Sequence, residues 1–371
     1  MITVLHILGD ANLSGGPMHV LRLAKHLSSE EFRSIVICPN GQFTDELTWA
    51  HVPYTIIPMA NKFDVRAIFA IRKIITKQKM KDEASPIIIH CHGVRAGLLG
   101  RLAAKAFPYP IVYTEHLWTK DYHLPHKLNE QLQLAMLRYL DRYTTKTIGV
   151  SQAVVDFLSQ AKIVPRAKLT RIYNAATIPA KPIFREGNSQ AIIGTVGSLT
   201  WQKNYSYLIE LFAKVHQSLP TARLEIVGEG PKRRELEALI AKYGLSEAVK
   251  LHGAPPHESI IPIQQRWSLY VQSSINESFG LAMAEAVTHG LPAVSSRLAS
   301  ATEVLGTKNA LFDFDDMERT AEKIVQLLKN KEKRRELYDQ EYATVKQFDV
   351  PTMIKAHEAL YTALVNLEAK P

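Results

Sequence analysis

Two cysteines in 371 residues, and no apolar run approaching the ~18 residues that suggest a membrane span, exclude whole classes of protein at the outset. Cys38 and Cys91 sit in separate strand-like runs with no metal-ligand spacing around them. They read as small core residues in a reducing compartment, not as a disulfide framework. The start of the chain lacks the charged, apolar and small-residue succession of a secretory signal. Ile2 to Leu8 reads directly as a buried strand, so the expected location is the cytoplasm. Low-complexity tracts and short repeats are also missing, and aromatics make up only 8%. The densest basic stretch has few aromatics interleaved and no recognition motif, which argues against nucleic acid as a partner.

What remains is the composition of a globular protein, 46% hydrophobic and 22% charged, long enough for two domains with separate cores. The charge is spread unevenly. Residues 1–189 carry 24 Lys and Arg against 14 Asp and Glu, residues 190–346 carry 19 of each, and the tail carries 2 against 3. The whole excess of the +9 chain therefore lies in its first half. The stretch Lys62–Lys81 holds Lys62, Arg66, Arg72, Lys73, Lys77, Lys79 and Lys81 against Asp64 alone. Such a run is ordinarily a solvated helix face. The functional alternative is attraction to an anionic membrane surface or to a pyrophosphate-bearing partner.

Short apolar runs recur at Thr3–Leu8, Ser34–Cys38, Ile87–Cys91, Ile111–Thr114 and Thr147–Val150, with amphipathic stretches such as Met18–Leu27, Val65–Lys77 and Gly97–Ala106 between them. A second series follows at Ile192–Val196, Leu224–Val227, Val249–His252, Leu269–Val271 and Ala293–Ser295, with helical stretches at Tyr207–Gln217 and Arg233–Tyr243. Buried runs separated by helices predict parallel sheets covered on both faces. The fold class is therefore α/β, two tandem Rossmann-like doubly wound domains, with strand carboxyl ends expected to face one cleft. The first domain spans 1–183 and the second 190–349, joined through the loop-like segment Ile178–Gln190 with its prolines, Gly187 and Asn188. The last helical stretch, Thr352–Leu367, is too detached to extend the second sheet. It is assigned with residues 350–371 to the first domain.

Two segments carry chemistry. After the first strand, Gly15 and Gly16 precede Pro17 and a helix, which allows close backbone approach to an anion at a helix N-terminus. A tight turn would use the same residues. In the second half, Glu277 should sit at a strand's carboxyl end, with a helix starting near Phe279. The amides of Phe279, Gly280 and Leu281 would then hold a diphosphate while Glu277 accepts hydrogen bonds from sugar hydroxyls. Glu285, among small apolar residues of that helix, is placed to grip a ribose diol. The pair His90 and His92 suggests a metal, but no third ligand is evident in the sequence, and none is assigned. Asp313–Asp316 reads as a helix cap.

Glu277-Ser278-Phe279-Gly280-Leu281-Ala282-Met283-Ala284-Glu285 closely resembles the signature of glycosyltransferase family 4, retaining enzymes of the B-type fold with two Rossmann-like domains. Further matches follow in order: Gly15-Gly16, His90-Cys91-His92-Gly93, Thr114-Glu115-His116, Val150-Ser151, Ile172-Tyr173-Asn174, Val196-Gly197-Ser198-Leu199 with Lys203-Asn204, Val227-Gly228-Glu229-Gly230-Pro231, Gly290-Leu291-Pro292, Glu303 and Phe348-Asp349. The resemblance spans nearly the whole chain and is strongest over 190–305. It implies that Lys203 neutralises the leaving diphosphate, that His116 hydrogen-bonds the donor sugar, and that Gly228 and Ser198 line the donor loops. It places the base near Pro255, in the loop Gly253–His257. Many members carry an Arg where Ser198 stands, which leaves Lys203 and the 279–281 amides more of the work. The implied function is transfer of a hexose-type sugar from a nucleoside-diphosphate donor, UDP-sugar foremost, to a glycan or lipid-linked acceptor in polysaccharide synthesis. No metal or other cofactor is implied. An isomerase of the UDP-sugar 2-epimerase kind is the runner-up on the same fold, and an inactive member serving as a binding partner for another chain is a third reading.

Overall fold

The computed structural model describes residues 1–124, 126–179, 183–185, 191–256 and 259–368. The chain divides into two compact units, Met1–Ala175 with Val350–Pro371, and Ala176–Asp349. Of the segment expected to join two domains, 180–182 and 186–190 lie outside the described residues, and so does His257.

The first unit runs β1 (Ile2–Leu8), α1 (Gly15–His26), β2 (Phe32–Cys38), α2 (Gln42–Trp49), β3 (Tyr54–Ile56), α3 (Val65–Lys81), β4 (Ile87–His92), α4 (Gly93–Ala104), β5 (Ile111–Glu115), α5 (Lys127–Asp141), β6 (Lys146–Gly149), α6 (Gln152–Gln160) and β7 (Leu169–Arg171). Its seven parallel strands lie in the order β3-β2-β1-β4-β5-β6-β7. Near-continuous Val and Ile in β1, β2 and β4 suit strands buried on both faces. The second unit runs β8 (Ile192–Val196), α7 (Tyr205–Ser218), β9 (Arg223–Val227), α8 (Arg233–Lys242), β10 (Val249–Leu251), α9 (Ile260–Gln264), β11 (Leu269–Gln272), α10 (Leu281–Thr288), β12 (Ala293–Ser296), α11 (Ala299–Leu305), β13 (Leu311–Phe312), α12 (Met317–Lys329) and α13 (Lys331–Val345). Its six parallel strands lie in the order β10-β9-β8-β11-β12-β13.

Both sheets are doubly wound, as expected, and each reverses its strand order once, between β1 and β4 and between β8 and β11. Open α/β sheets bind ligands just beyond the strand carboxyl ends at such a reversal. The edge strands β3, β7 and β13 were not expected. At two or three residues each they are too short to show a period.

The last helix, α14 (Val350–Glu368), belongs to the first unit. Its Met353, Ile354, Tyr361 and Leu364 share one core cluster with Val4, Leu23, Ile88, Val112, Ile148 and Ile172. Each such buried side chain contributes roughly 1.5–3 kcal/mol. α3 extends to Lys81, capped by the Asp64 carboxylate on Ala67 N, and buries Ala67, Ile71 and Ile75. Asp316 caps α12 through Arg319 N, so the acidic run before that helix is indeed a cap.

Candidate functional site

In the second unit the expected residues gather on two loops that leave β8 and β11, the neighbouring strands at the reversal. Backbone and hydroxyl bonds stitch the loops together. Ile275 N donates to Gln202 O at 2.9 Å, and Ser273 Oγ donates to Lys203 O and Asn204 O at 2.8 and 3.1 Å. Lys203 ends a short 3₁₀ turn, and Asn204 at φ 50° turns the chain into α7. Held this way, Lys203 Nζ pairs with Glu277 Oε1, which also accepts Ser274 Oγ at 3.1 Å. Ser300 Oγ fixes the Glu277 carbonyl at 2.8 Å. The two charged side chains are 24% and 14% exposed, partly desolvated yet open to a ligand. Glycines make room for the arrangement. A Cβ on Gly197 would lie 2.8 Å from Lys203 Cε, and one on Gly228 would lie 2.0 Å from Gly197 O. Gly228 N in turn donates to Gly253 O at 2.7 Å, which brings the half-buried Pro255 loop alongside.

The helix expected near Phe279 begins at Leu281 instead, because Gly280 at φ +85° is left-handed and caps it. The first amides of α10 have no partner within the helix, which keeps the anion-binding argument at its start. Phe279 is 1% exposed and meets the Phe348 ring edge-on at 5.3 Å, so its side chain serves the core. Ser278 is half-buried in the turn between Glu277 and α10. Glu285 is half-buried between buried Ala284 and Ala286, and Ser198 is exposed. Sequence reasoning missed Ser273, Ser274 and Ser300. The first two carried a signal, as adjacent small hydroxyl residues just past a strand.

In the first unit, Gly15 and Gly16 are the first two residues of α1. Neither has a positive φ, and a Cβ on either would meet nothing within 4 Å. The fold does not demand glycine there, which removes the tight-turn explanation and leaves open space at a helix N-terminus.

His116 follows β5 and is positioned by its neighbour. Glu115, fully buried, accepts Tyr113 OH at 2.7 Å, Leu117 N at 2.8 Å and Trp118 N at 3.3 Å, which ties down the loop on both sides of His116. Burial raises the Glu115 carboxyl against these bonds. His116 does not stand alone. Register pairs His6 of β1 with His90 of β4, and His92 lies two residues further along the same face. His6 Nδ1 is 3.4 Å from His92 Nε2, and His116 Nε2 is 3.5 Å from His92 Nδ1. His90 bonds Thr114 Oγ1 and Tyr361 OH, both at 2.6 Å. His19 of α1 and His357 of α14 pack on the same group. Burial pushes the His116 imidazole down to about 4, with nearby His357 adding to the shift, so at neutral pH it acts as an uncharged hydrogen-bonding group. The expectation that His90 and His92 lack a third ligand is corrected. His6 brings a third nitrogen within range of that pair, and His19 and His116 form a separate group with His92 alone. Sequence separation hid His6, 86 residues from His92 and brought beside it by strand order, whereas His116 is only 24 residues from His92.

Among the described residues no helix is long and apolar enough to cross a membrane. Residues 13–177 match the family described as Glycosyltransferase Family 4, and residues 179–344 match Glycosyl transferases group 1. The chain is 25% identical over 357 residues to the putative glycosyltransferase EpsD of Bacillus subtilis, covering 90% of each. It is 26% identical over 268 residues to a subunit of the phosphatidylinositol N-acetylglucosaminyltransferase of Arabidopsis thaliana, covering 70% of this chain and 57% of that protein. The chain thus matches little more than half the length of that relative. Among solved structures, Anabaena HepE in complex with UDP and glucose superimposes with a TM-score of 0.81 at 20% identity, over 98% of this chain and 100% of that one. With both sheets, their reversal points and these matches in agreement, the chain belongs to glycosyltransferase family 4, with the two-Rossmann-domain fold of the B type.

Proposed function

We propose that the protein is a retaining, metal-independent glycosyltransferase that moves a hexose-type sugar from a nucleoside diphosphate, UDP foremost, to a glycan or lipid-linked acceptor. The observation that carries this reading is the Lys203–Glu277 pair, fixed beside the N-terminus of α10 at the strand reversal of the second unit. A departing nucleoside diphosphate gains negative charge as the sugar–phosphate bond breaks, and a preorganised cation with helix amides stabilises that charge most when it is largest. In this reading Lys203 leaves its carboxylate partner for the diphosphate, which frees Glu277 to accept hydroxyls of the sugar. Glu285 takes the ribose diol, and Gly228, Ser198 and Pro255 line the nucleotide. Gly15, Gly16 and His116 keep their family roles toward the donor, His116 as an uncharged hydrogen-bonding group.

The UDP and glucose named for HepE, and the N-acetylglucosaminyltransferase names among the relatives, support a UDP-sugar donor. The basic first half of the sequence supports an anionic acceptor, such as a polyprenyl-diphosphate-linked glycan, at the inner face of a membrane. Thermal-shift titration with UDP, GDP, ADP and their sugars tests the donor. UDP compounds are expected to raise the melting temperature most, with slow release of free sugar that persists in excess chelator. Failure of every nucleotide to stabilise the protein would refute the reading. Activity lost to chelator and restored by magnesium would refute its metal independence. Consumption of UDP-sugar to an isomer without an acceptor would favour the epimerase.

A further inference from the structure

His19 has no role in the transferase reading, yet its surroundings leave it unsatisfied. The residue is 1% exposed, and neither ring nitrogen has a hydrogen-bond partner among the described residues. A neutral imidazole presents one N–H donor and one lone pair, and buried groups of this kind are nearly always matched. α1 places this ring with its centroid 5.0 Å from His116 and 5.8 Å from His92. One nitrogen from each of the three lies within 4.8 Å of the other two. The pair His92 Nδ1 and His116 Nε2 is 3.5 Å apart. Two imidazole nitrogens bound ~2.05 Å from a tetrahedral zinc ion are separated by about 3.4 Å.

We propose that in the donor-free protein His19, His92 and His116 form a binding site for a borderline transition-metal dication such as Zn²⁺, with water as the fourth ligand, an ion that must leave His116 before the donor sugar takes it. Three imidazoles suit zinc, cobalt or copper and do not suit magnesium or calcium, which take oxygen ligands. The outer shell is in place. If His92 binds through Nδ1, its Nε2–H lies 3.4 Å from His6 Nδ1, which can accept it and fix the tautomer. His6, His90 and His92 also bring nitrogens within 4.8 Å of one another. Both nitrogens of His90 are already bonded at 2.6 Å, so a metal there would break one of two short hydrogen bonds, whereas His19 gives up none. The half-buried His116 is the least enclosed of the three and marks the way in. An ion here would tie α1 to the ends of β4 and β5.

The test uses the full chain without an affinity tag, stripped with chelator. It is titrated with Co²⁺ while visible absorption is followed, and with Zn²⁺ in equilibrium dialysis. One ion per chain and a four-coordinate Co²⁺ spectrum are expected. Loss of an outer-shell partner alone weakens metal binding about 10–100-fold, so His6→Phe should fall in that range and His19→Leu should lose about 100-fold or more. Far-UV circular dichroism checks that each variant folds, and His19→Asn replaces His19→Leu if it does not. Less than one equivalent bound to the wild type, or a six-coordinate Co²⁺ spectrum, overturns the site without recourse to any variant. Wild-type affinity in a folded His19 variant also overturns it, because the ion would then sit on surface histidines or on the His6–His90–His92 group.

Discussion

Glu277 illustrates how much one side chain depends on its immediate partners. Its carboxylate meets Lys203 and Ser274, and its carbonyl is held by Ser300, so the group is placed before any substrate arrives. Glu277→Ala is expected to abolish transfer in a protein that still folds, since the site is only partly buried and the loop keeps its backbone bonds. Turnover at the wild-type rate in the folded variant would remove Glu277 from the mechanism. Lys203→Ala should lower kcat by about 100-fold or more while changing donor affinity less, because the diphosphate charge peaks as it leaves. An unchanged kcat would assign that charge to another cation. Gly228 tests the scaffold beneath both residues. A Cβ there would stand 2.0 Å from Gly197 O, so the loops after β8 and β9 must part. Forcing backbone apart costs roughly 1–3 kcal/mol, so Gly228→Ala should weaken UDP binding about 10-fold or more by calorimetry. Equal affinity would show that the loops do not hold the nucleotide.

Among the elements, α13 carries a group whose cost depends on pH. Glu341 is fully buried; one carboxylate oxygen accepts Ala293 N at the start of β12 at 3.0 Å, and the other has no partner among the described residues. Burial holds its carboxyl well above the ordinary 4.5, outweighing the bond from Ala293 and the pull of Lys323. The folded state therefore keeps a proton that the unfolded chain has lost. This contribution to stability is fully present below about 4.5 and erodes as pH rises toward the folded value, by up to about 1.4 kcal/mol per pH unit. Glu341→Gln keeps the acceptor for Ala293 N and removes the titration. Urea unfolding should find the variant equal to the wild type near pH 4 and more stable near pH 8, with a flatter dependence between. Parallel pH profiles would show that Glu341 is ionised in the fold.

Across the entire protein, charge is the property that local chemistry does not use up. The second half of the sequence is balanced, whereas the first 189 residues carry the whole surplus. On α3, Ile71 and Ile75 face the protein core and are not available to a bilayer, but Val65, Phe69 and Met80, with Phe63 just before the helix, are 58–74% exposed near Lys62, Arg66, Lys73 and Lys77. Exposed aromatics set among lysines suit the interface of an anionic membrane. Sedimentation with anionic vesicles should therefore carry the protein down at low salt and release it at high salt, with neutral vesicles carrying less. Equal failure with both kinds of vesicle at low salt would leave a soluble acceptor as the better reading.

Local patterns in the chain were enough for the two-sheet α/β plan, because its central strands are continuous apolar runs at regular spacing. The proposed donor-side residues were singled out in the same way, because Glu277, Gly280 and Glu285 lie within nine positions and read as one pattern. Contacts between distant segments belong to the tertiary structure. The pairing of Lys203 with Glu277 spans 74 residues, and His90 meets Tyr361 across 271. Composition cannot show that β1 adds His6 to a strand carrying His90 and His92, or that α1 and α14 bring His19 and His357 onto them. A β-strand or helix dictates which of its own residues share a face, through its period of 2 or 3.6. Which elements become neighbours is decided only when their apolar faces are buried together, and the six-histidine cluster exists only through that packing.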